Sequence, residues 1–158
     1  MKKCNKCLVN KEDSNFPVQR KGKKYESMSG YCRQCRKKQM YANLNSDINK
    51  FLSDKYHRIK CRANKLKVKF DLDKESFIAL YHNQKGNCFY TGIKMDCRVG
   101  EGKSRNSLSV DRIKHKNGYT KDNIVLCINR VNTIKSDMSL EELKAWIPKW
   151  YNKLLKLK

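Results

Sequence analysis

Four cysteines near the N-terminus have the spacing of a metal site. Cys4 and Cys7 form one C-x-x-C pair, and Cys32 and Cys35 form a second pair after 24 intervening residues. Two residues between thiols let both sulfurs reach one ion, and two such pairs complete the tetrahedron of thiolates that suits Zn²⁺. Four cysteine ligands leave no open coordination position, so we expect this zinc to hold the fold and not to catalyse. A redox dithiol or an iron–sulfur cluster is the alternative reading of the same spacing.

The other four cysteines do not repeat this pattern. Thr91 stands three residues after Cys88, and Arg130 stands three residues after Cys127, where a second thiol would be needed. We therefore expect Cys88 and Cys127 to be buried packing residues and not a second zinc site.

Polar side chains recur between residues 109 and 135 at points where elements meet. Leu108–Ile113 and Ile124–Leu126 are predicted strands that flank a Lys-Asn-Gly turn, and a helical period follows them. Asp111 lies in the first strand, Asn123 precedes the second, and Asn132 lies in the helix. The periodicity of the helix places Asn132 opposite its apolar residues and away from the packed side.

These residues resemble the HNH endonucleases, the ββα-metal nuclease superfamily. The resemblance is carried by four short motifs in order: Cys88 to Ile93, Ser109 to Ile113, Gly118 to Ile124, and Val131 to Lys135. The resemblance covers about residues 77–145, and this segment is most similar to the phage-type members of the family. The N-terminal cysteine segment resembles the zinc ribbons that often precede phage HNH modules.

The resemblance implies a role for each polar residue. Asp111 and Asn132 are expected to bind a catalytic divalent ion, and Asn123 is expected to hold the loop through its side-chain amide. One carboxylate and one amide oxygen leave most of the coordination sphere to water and phosphate, which suits Mg²⁺ or Mn²⁺. The expected reaction is hydrolysis of phosphodiester bonds in DNA.

Arg112 occupies the position at which the family has its general-base histidine. An arginine stays protonated and cannot accept a proton from water, although it can bind phosphate or stabilise transition-state charge. His115 is the nearest imidazole and the first candidate for the base, and Tyr119 is a further candidate. A metal-bound hydroxide, or the absence of any base, is the remaining alternative.

The net charge of +22 indicates a polyanionic partner, and residues 1–70 carry +15 of it. Nucleic acid is the first candidate and an anionic membrane surface the second. A basic amphipathic helix is predicted over residues 46–66. The expected DNA-binding residues are Arg58, Lys60, Arg62, Lys65 and Lys135.

Three further elements are predicted from local signals. Val68, Phe70 and Leu72 alternate with polar residues as in a strand, and Asp73 is expected to cap the next helix. Ser139 and Glu142 have the spacing of a capping box for a last helix, which Pro148 is expected to break or kink.

The predicted protein is therefore a small α+β fold in three parts. Residues 1–40 form a zinc ribbon, residues 41–70 a basic connector helix, and residues 71–158 an HNH ββα-metal (His-Me finger) module with flanking helices. The longest apolar run, Ile124–Ile128, excludes a transmembrane helix, and no secretory signal is recognised. A cytoplasmic location is expected, in the bacterial host if the chain is phage-encoded.

The predicted function is a metal-dependent HNH endonuclease acting on DNA, with no membrane partner and with a homodimer left open. Two alternatives remain. One is a catalytically inactive zinc-ribbon protein that binds nucleic acid, which Arg112 favours. The other is a nuclease of the same superfamily that resolves branched DNA.

Overall fold

A computed structural model describes residues 1–18, 27–102 and 104–155 of the chain. Within these ranges the protein is a small α+β structure with five α-helices and three two-stranded sheets. Its contacts divide it into two units, Met1–Lys50 and Phe51–Lys158. The described helices contain no stretch that is both long and apolar enough to cross a membrane.

The first unit is built around its cysteines. Strands β1 (Lys2–Lys3) and β2 (Asn10–Lys11) pair antiparallel, and Cys4, Phe16 and Cys32 form a small buried cluster. Helix α1 (Arg33–Asn45) follows Cys32 and was not predicted, because Leu44 is its one buried residue and its apolar pattern is thin. Residues 19–26 of the predicted ribbon lie outside the described residues.

Helix α2 (Ile48–Lys65) confirms the helix predicted over residues 46–66. The side chain of Asp47 accepts a hydrogen bond from the backbone N–H of Asn49 at 2.8 Å, which satisfies one of the free donors at the helix start. The helix buries one apolar stripe, formed by Phe51, Leu52, Ile59 and Ala63. The opposite face of the helix is therefore left to its basic side chains.

Aromatic rings join the next two elements to the loop between residues 113 and 123. Strand β3 (Phe70–Asp71) pairs in parallel with β5 (Tyr119–Thr120), and the Phe70 and Tyr119 rings are 6.1 Å apart. Helix α3 (Lys74–Asn83) begins as predicted, because Asp73 accepts a bond of 2.6 Å from the backbone N–H of Ser76.

Strands β4 (Leu108–Arg112) and β6 (Ile124–Ile128) form an antiparallel pair in which Asp111 lies opposite Val125. Both were predicted as strands, and both extend close to the predicted limits. All five residues of β6 are buried, which explains its unbroken apolar sequence. Gln84 covers the strand edge, since its side chain bonds both the N–H and the C=O of Leu126.

Two helices complete the chain. Helix α4 (Asn129–Lys135) follows β6 directly, and α5 (Leu140–Leu155) begins with the predicted capping box, in which Ser139 and Glu142 bond each other's backbone N–H. Of the two effects predicted for Pro148, a break and a kink, the break does not occur, because α5 runs through the proline. Proline removes the bond from its own nitrogen and crowds the carbonyl four residues before it, but the bonds of the neighbouring residues keep the helix continuous.

Candidate functional site

The four N-terminal cysteines meet at one point. The sulfur atoms of Cys4, Cys7, Cys32 and Cys35 all lie within 4.8 Å of one another, and three of the four side chains are shielded from solvent. Among the described residues, this is the one group of at least three Cys, His, Asp or Glu side chains close enough to share an ion. The cluster is positioned to bind a metal such as zinc.

The environment of these thiols favours deprotonation at two of them, because backbone hydrogen bonding at Cys35 also lowers the pKa of Cys32. Burial acts to raise the pKa of Cys4, but backbone hydrogen bonds from Cys32, Cys7 and Lys6 outweigh it and lower the pKa to about 6. Burial and the neighbouring thiols raise the pKa of Cys35 to about 12. An ion that binds here therefore displaces a proton from Cys35, and its charge favours the thiolate form of every ligand.

The second group of polar residues surrounds a cavity of about 330 Å³ in the second unit. The residues that line it are mostly polar and come from α2, β4, the loop after β4, β5 and the end of α4: Arg62, Val110, Asp111, Arg112, His115, Tyr119, Asn132, Ser136 and Asp137. The structure thus brings together four of the five residues predicted for catalysis, and adds Arg62 from the predicted DNA-binding set. The mixture of guanidinium, carboxylate and amide groups suits a phosphate and a cation.

Asp111 is 4% exposed and has two polar partners. The hydroxyl of Tyr90 donates to its Oδ2 at 2.5 Å, and the ammonium of Lys135 lies 3.2 Å from the same oxygen. The carboxylate is therefore charge-compensated and fixed in direction. Burial, and then the Asp111 carboxylate, raise the pKa of the Tyr90 phenol far above its ordinary value, so that it stays a donor.

Lys135 is placed differently from its sequence prediction as a DNA-binding residue. Its side chain is buried, and its ammonium also reaches the backbone carbonyl of Arg112 at 3.2 Å. Burying a charged group is costly unless a partner of opposite charge is present, and Asp111 supplies that partner. The buried ion pair therefore joins β4 to α4, and the Lys135 ammonium is not exposed for binding a phosphate.

The predicted orientation of α4 is wrong. Asn132 is half-buried, and its amide nitrogen donates to Ser109 Oγ at 2.7 Å and to Val110 O at 3.4 Å, whereas Ile134 is 47% exposed. The ion pair of Lys135 and the bonds of Asn132 turn the polar side of this short helix toward β4. Apolar periodicity over seven residues is too weak a signal to oppose these contacts.

Asn123 does not line the cavity but closes the loop that carries His115. It is 5% exposed; its Oδ1 accepts from Lys114 N at 2.9 Å, and its Nδ2 donates to Lys114 O at 2.9 Å and to Gly118 O at 2.7 Å. Gly118 has φ +74, and a Cβ there would lie 2.3 Å from Lys69 O. The loop therefore needs both the amide and the glycine.

Arg112 contacts two other residues of the cavity. Its Nη2 lies 3.0 Å from Nδ1 and 3.1 Å from Nε2 of His115, and its guanidinium carbon stands 5.1 Å from the centre of the Tyr119 ring. A neutral imidazole has one nitrogen with a lone pair, and in either tautomer that nitrogen is within bonding distance of Arg112. The imidazole that the sequence offered as a base is therefore in direct contact with the Arg112 guanidinium.

The exposed face of α2 carries the basic residues predicted to bind DNA. Arg58, Lys60, Arg62 and Lys65 are all exposed. Arg58 pairs with Asp54 at 2.7 Å, so part of its charge is compensated within the helix. Arg62 differs from Arg58 because it lines the cavity together with Asp111.

Sequence reasoning missed Tyr90, Ser136 and Asp137. Tyr90 lies within the first motif of the HNH resemblance, but nothing in its sequence context indicates a bond to a residue 21 positions later. Ser136 follows the last residue of α4 with φ 49 and ψ −120, a conformation rare for a non-glycine residue, and Asp137 comes next at the cavity wall. Because an aspartate after a helix ordinarily forms a turn, the position of Asp137 in the sequence does not indicate a functional role.

No family model matches the chain, and no curated protein matches it significantly. Among solved structures, a rare-cutting HNH restriction endonuclease, PacI, matches with 23% sequence identity. The match covers 94% of this chain and 98% of that one, with a TM-score of 0.42. At this TM-score the likeness does not define a shared fold.

Proposed function

We propose that the chain is a divalent-metal-dependent DNA endonuclease of the HNH type, whose ββα-metal module is formed by β4, β6 and α4. The observation that carries the proposal is that Asp111 and Asn132, in β4 and α4, line one polar cavity together with Arg62 and Arg112. Phosphodiester hydrolysis needs oxygen ligands for a cation beside cationic donors for phosphate, and the cavity offers both.

The Asp111 carboxylate can accept a metal ion in spite of its partners. A carboxylate has about four lone-pair sites, and Tyr90 and Lys135 occupy three of them. The amide nitrogen of Asn132 donates a hydrogen bond to Ser109 in β4. The amide oxygen is therefore the atom of Asn132 that would bind a cation. Asp111 and Asn132 would hold Mg²⁺ or Mn²⁺, which when bound polarises the scissile phosphate and stabilises the leaving oxygen.

The chain's own cations would bind the substrate. Arg112 has five N–H donors, and the contact with His115 uses only part of them. His115 and the Tyr119 ring hold the guanidinium in position, so that Arg112 and Arg62 can approach a phosphate from two elements of the cavity wall. The exposed basic residues of α2 extend this surface along the DNA backbone.

The four-cysteine cluster supports a structural zinc site in the N-terminal unit. Four thiol ligands with no open position suit an ion that stabilises a small unit with little apolar core. A zinc ribbon of this kind, with the basic residues around it, would add phosphate contacts.

Plasmid cleavage in Mg²⁺, Mn²⁺ or EDTA tests the proposal. We expect the wild type and an Asp122→Asn control to cut with either ion and not in EDTA, because Asp122 is exposed and does not line the cavity. Asp111→Asn should not cut. Since that variant leaves the Lys135 ammonium without its carboxylate, Asn132→Ala serves as a second variant, with DNA binding as the check on folding.

One observation favours the second candidate function, a protein that binds DNA without cutting it. Arg112 stands in place of the family's histidine and engages the nearest imidazole. Binding without cleavage of supercoiled plasmid, linear duplex and a four-way junction, in both metals, would support this candidate. Cleavage of the junction alone would instead assign the chain to the nucleases that resolve branched DNA.

A further inference from the structure

The cavity described above is lined by three carboxylate or imidazole side chains, which are types that serve as general bases, and two of them contact a cationic neighbour. The Asp111 carboxylate is bonded by Tyr90 and Lys135. The His115 lone pair is within bonding distance of Arg112 in either tautomer. The third group is the carboxylate of Asp137.

Asp137 differs from these two in its surroundings. Within the described part of the chain it has neither a hydrogen-bond partner nor an ion pair, and its side chain is exposed. The cavity it lines also contains Arg62 and Arg112, so a phosphate held there would bring the scissile bond to the same space.

The backbone is arranged to place Asp137 at the cavity wall. Helix α4 ends at Lys135, and Ser136 follows with φ 49 and ψ −120, while its N–H donates to Asn132 O at 2.9 Å. Such a conformation costs a non-glycine residue about 1–3 kcal/mol, and strain of this kind is often found at functional sites. The strained residue, Ser136, therefore directly precedes Asp137, whose carboxylate has no partner among the described residues.

We propose that Asp137 is the general base of the nuclease, an inference that rests on the proposed function. The Asp137 carboxylate takes one proton from water, the water oxygen forms the new bond to phosphorus, and the P–O bond to the leaving sugar oxygen breaks. The leaving oxygen then takes a proton from solvent, Asp137 releases its proton to solvent, and the products are a phosphate monoester and an alcohol. In this assignment a carboxylate does the work of the general-base histidine of the HNH family. Arg112, which occupies the position of that histidine, is then available to bind phosphate.

The role of a base predicts a rate effect without a binding effect. Asp137→Asn keeps the shape of the side chain but cannot accept a proton, so we expect the single-turnover rate with Mn²⁺ to fall about 10²- to 10⁴-fold. DNA affinity, and the Mn²⁺ concentration that gives half of the maximal rate, should not change. Asp122→Asn is the matched control and should cut at the wild-type rate, because Asp122 is an exposed aspartate outside the cavity.

A second measurement separates a base from a structural residue. In Asp137→Ala, added formate should restore part of the rate, because a small carboxylate can enter the space left by the side chain. Chloride at the same ionic strength should not restore it, and neither salt should accelerate Asp122→Ala.

Each result has a defined meaning. Cleavage by Asp137→Asn at the wild-type rate overturns the inference and leaves the nuclease in place. A large shift of the Mn²⁺ midpoint also overturns it, because it would make Asp137 a metal ligand. If the wild type and Asp122→Asn do not cut DNA with either metal, the proposed function itself fails, and the inference fails with it.

Discussion

The ammonium nitrogen of Lys135 lies 3.2 Å from each carboxylate oxygen of Asp111, and both side chains are buried. The pair links the C-terminal end of β4 to the last turn of α4. It also fixes the carboxylate that we propose as a metal ligand, because the Tyr90 hydroxyl bonds one of its oxygens. Lys135 is therefore a positioning residue whose effect on cleavage would act through Asp111.

Breaking this pair from one side should destabilise the protein strongly. Lys135→Met leaves a buried carboxylate without its counter-charge, and we expect a loss of about 3–5 kcal/mol in the free energy of unfolding. Asp111→Asn with Lys135→Met removes both charges and should recover much of that loss. Urea denaturation of the two single variants and the double variant measures the coupling. Lys116→Met, at an exposed lysine of the neighbouring loop, is the control, and additive losses would contradict the pairing.

Gly118 should be much less tolerant of alanine than Gly92. Both have positive φ, +74 and +69, so alanine is strained at either position. A Cβ at Gly118 would lie 2.3 Å from Lys69 O, whereas a Cβ at Gly92 meets nothing within 4 Å. We expect Gly118→Ala to lower the thermal midpoint clearly more than Gly92→Ala. Equal shifts for the two variants would show that the close approach of Gly118 to the Lys69 carbonyl does not matter.

The four-cysteine site predicts a defined zinc content. The purified chain should contain about one zinc ion, measured by inductively coupled plasma mass spectrometry. Cys32→Ser should lose it and weaken DNA binding, since the N-terminal unit has little apolar core to replace the ion. Cys61→Ser should keep the zinc, because Cys61 is exposed and lies outside the cluster. Zinc retained in full by Cys32→Ser would count against the site.

Arg62 and Arg58 should differ in their contribution to DNA binding. Both are exposed on α2, but Arg58 is paired with Asp54, and Arg62 lines the cavity. Arg62→Ala should reduce the slope of log affinity against log salt by about 1, as expected for the loss of one phosphate contact. Fluorescence anisotropy over a NaCl series measures the slope for both variants. A larger change with Arg58→Ala would place the phosphate contact elsewhere on the helix.

The elements that could be predicted from the sequence are those fixed by local signals. Helix α2, strands β4 and β6, and the caps at Asp73 and Ser139 follow from residue pattern and backbone hydrogen bonding over a few positions. The four-cysteine cluster could be predicted because C-x-x-C spacing constrains its own geometry.

The features that could not be predicted depend on contacts between distant residues. Lys135 turns inward because Asp111 lies 24 positions before it, and the turn of α4 follows from that pair. Asp137 reaches the cavity because Ser136 adopts a conformation that its residue type disfavours. Helix α1 has too few apolar positions for periodicity to reveal it.

The closure of the loop by Asn123 has a consequence for hydrogen exchange. The amide proton of Lys114 is bonded to Asn123 Oδ1, and that of Tyr119 is bonded to Lys69 O. Because Asn123 is buried and is joined directly to β6, these protons should exchange with deuterium at rates typical of the strand pair and not of a surface loop. The segment that presents His115 to solvent would then open only when the strand pair itself opens.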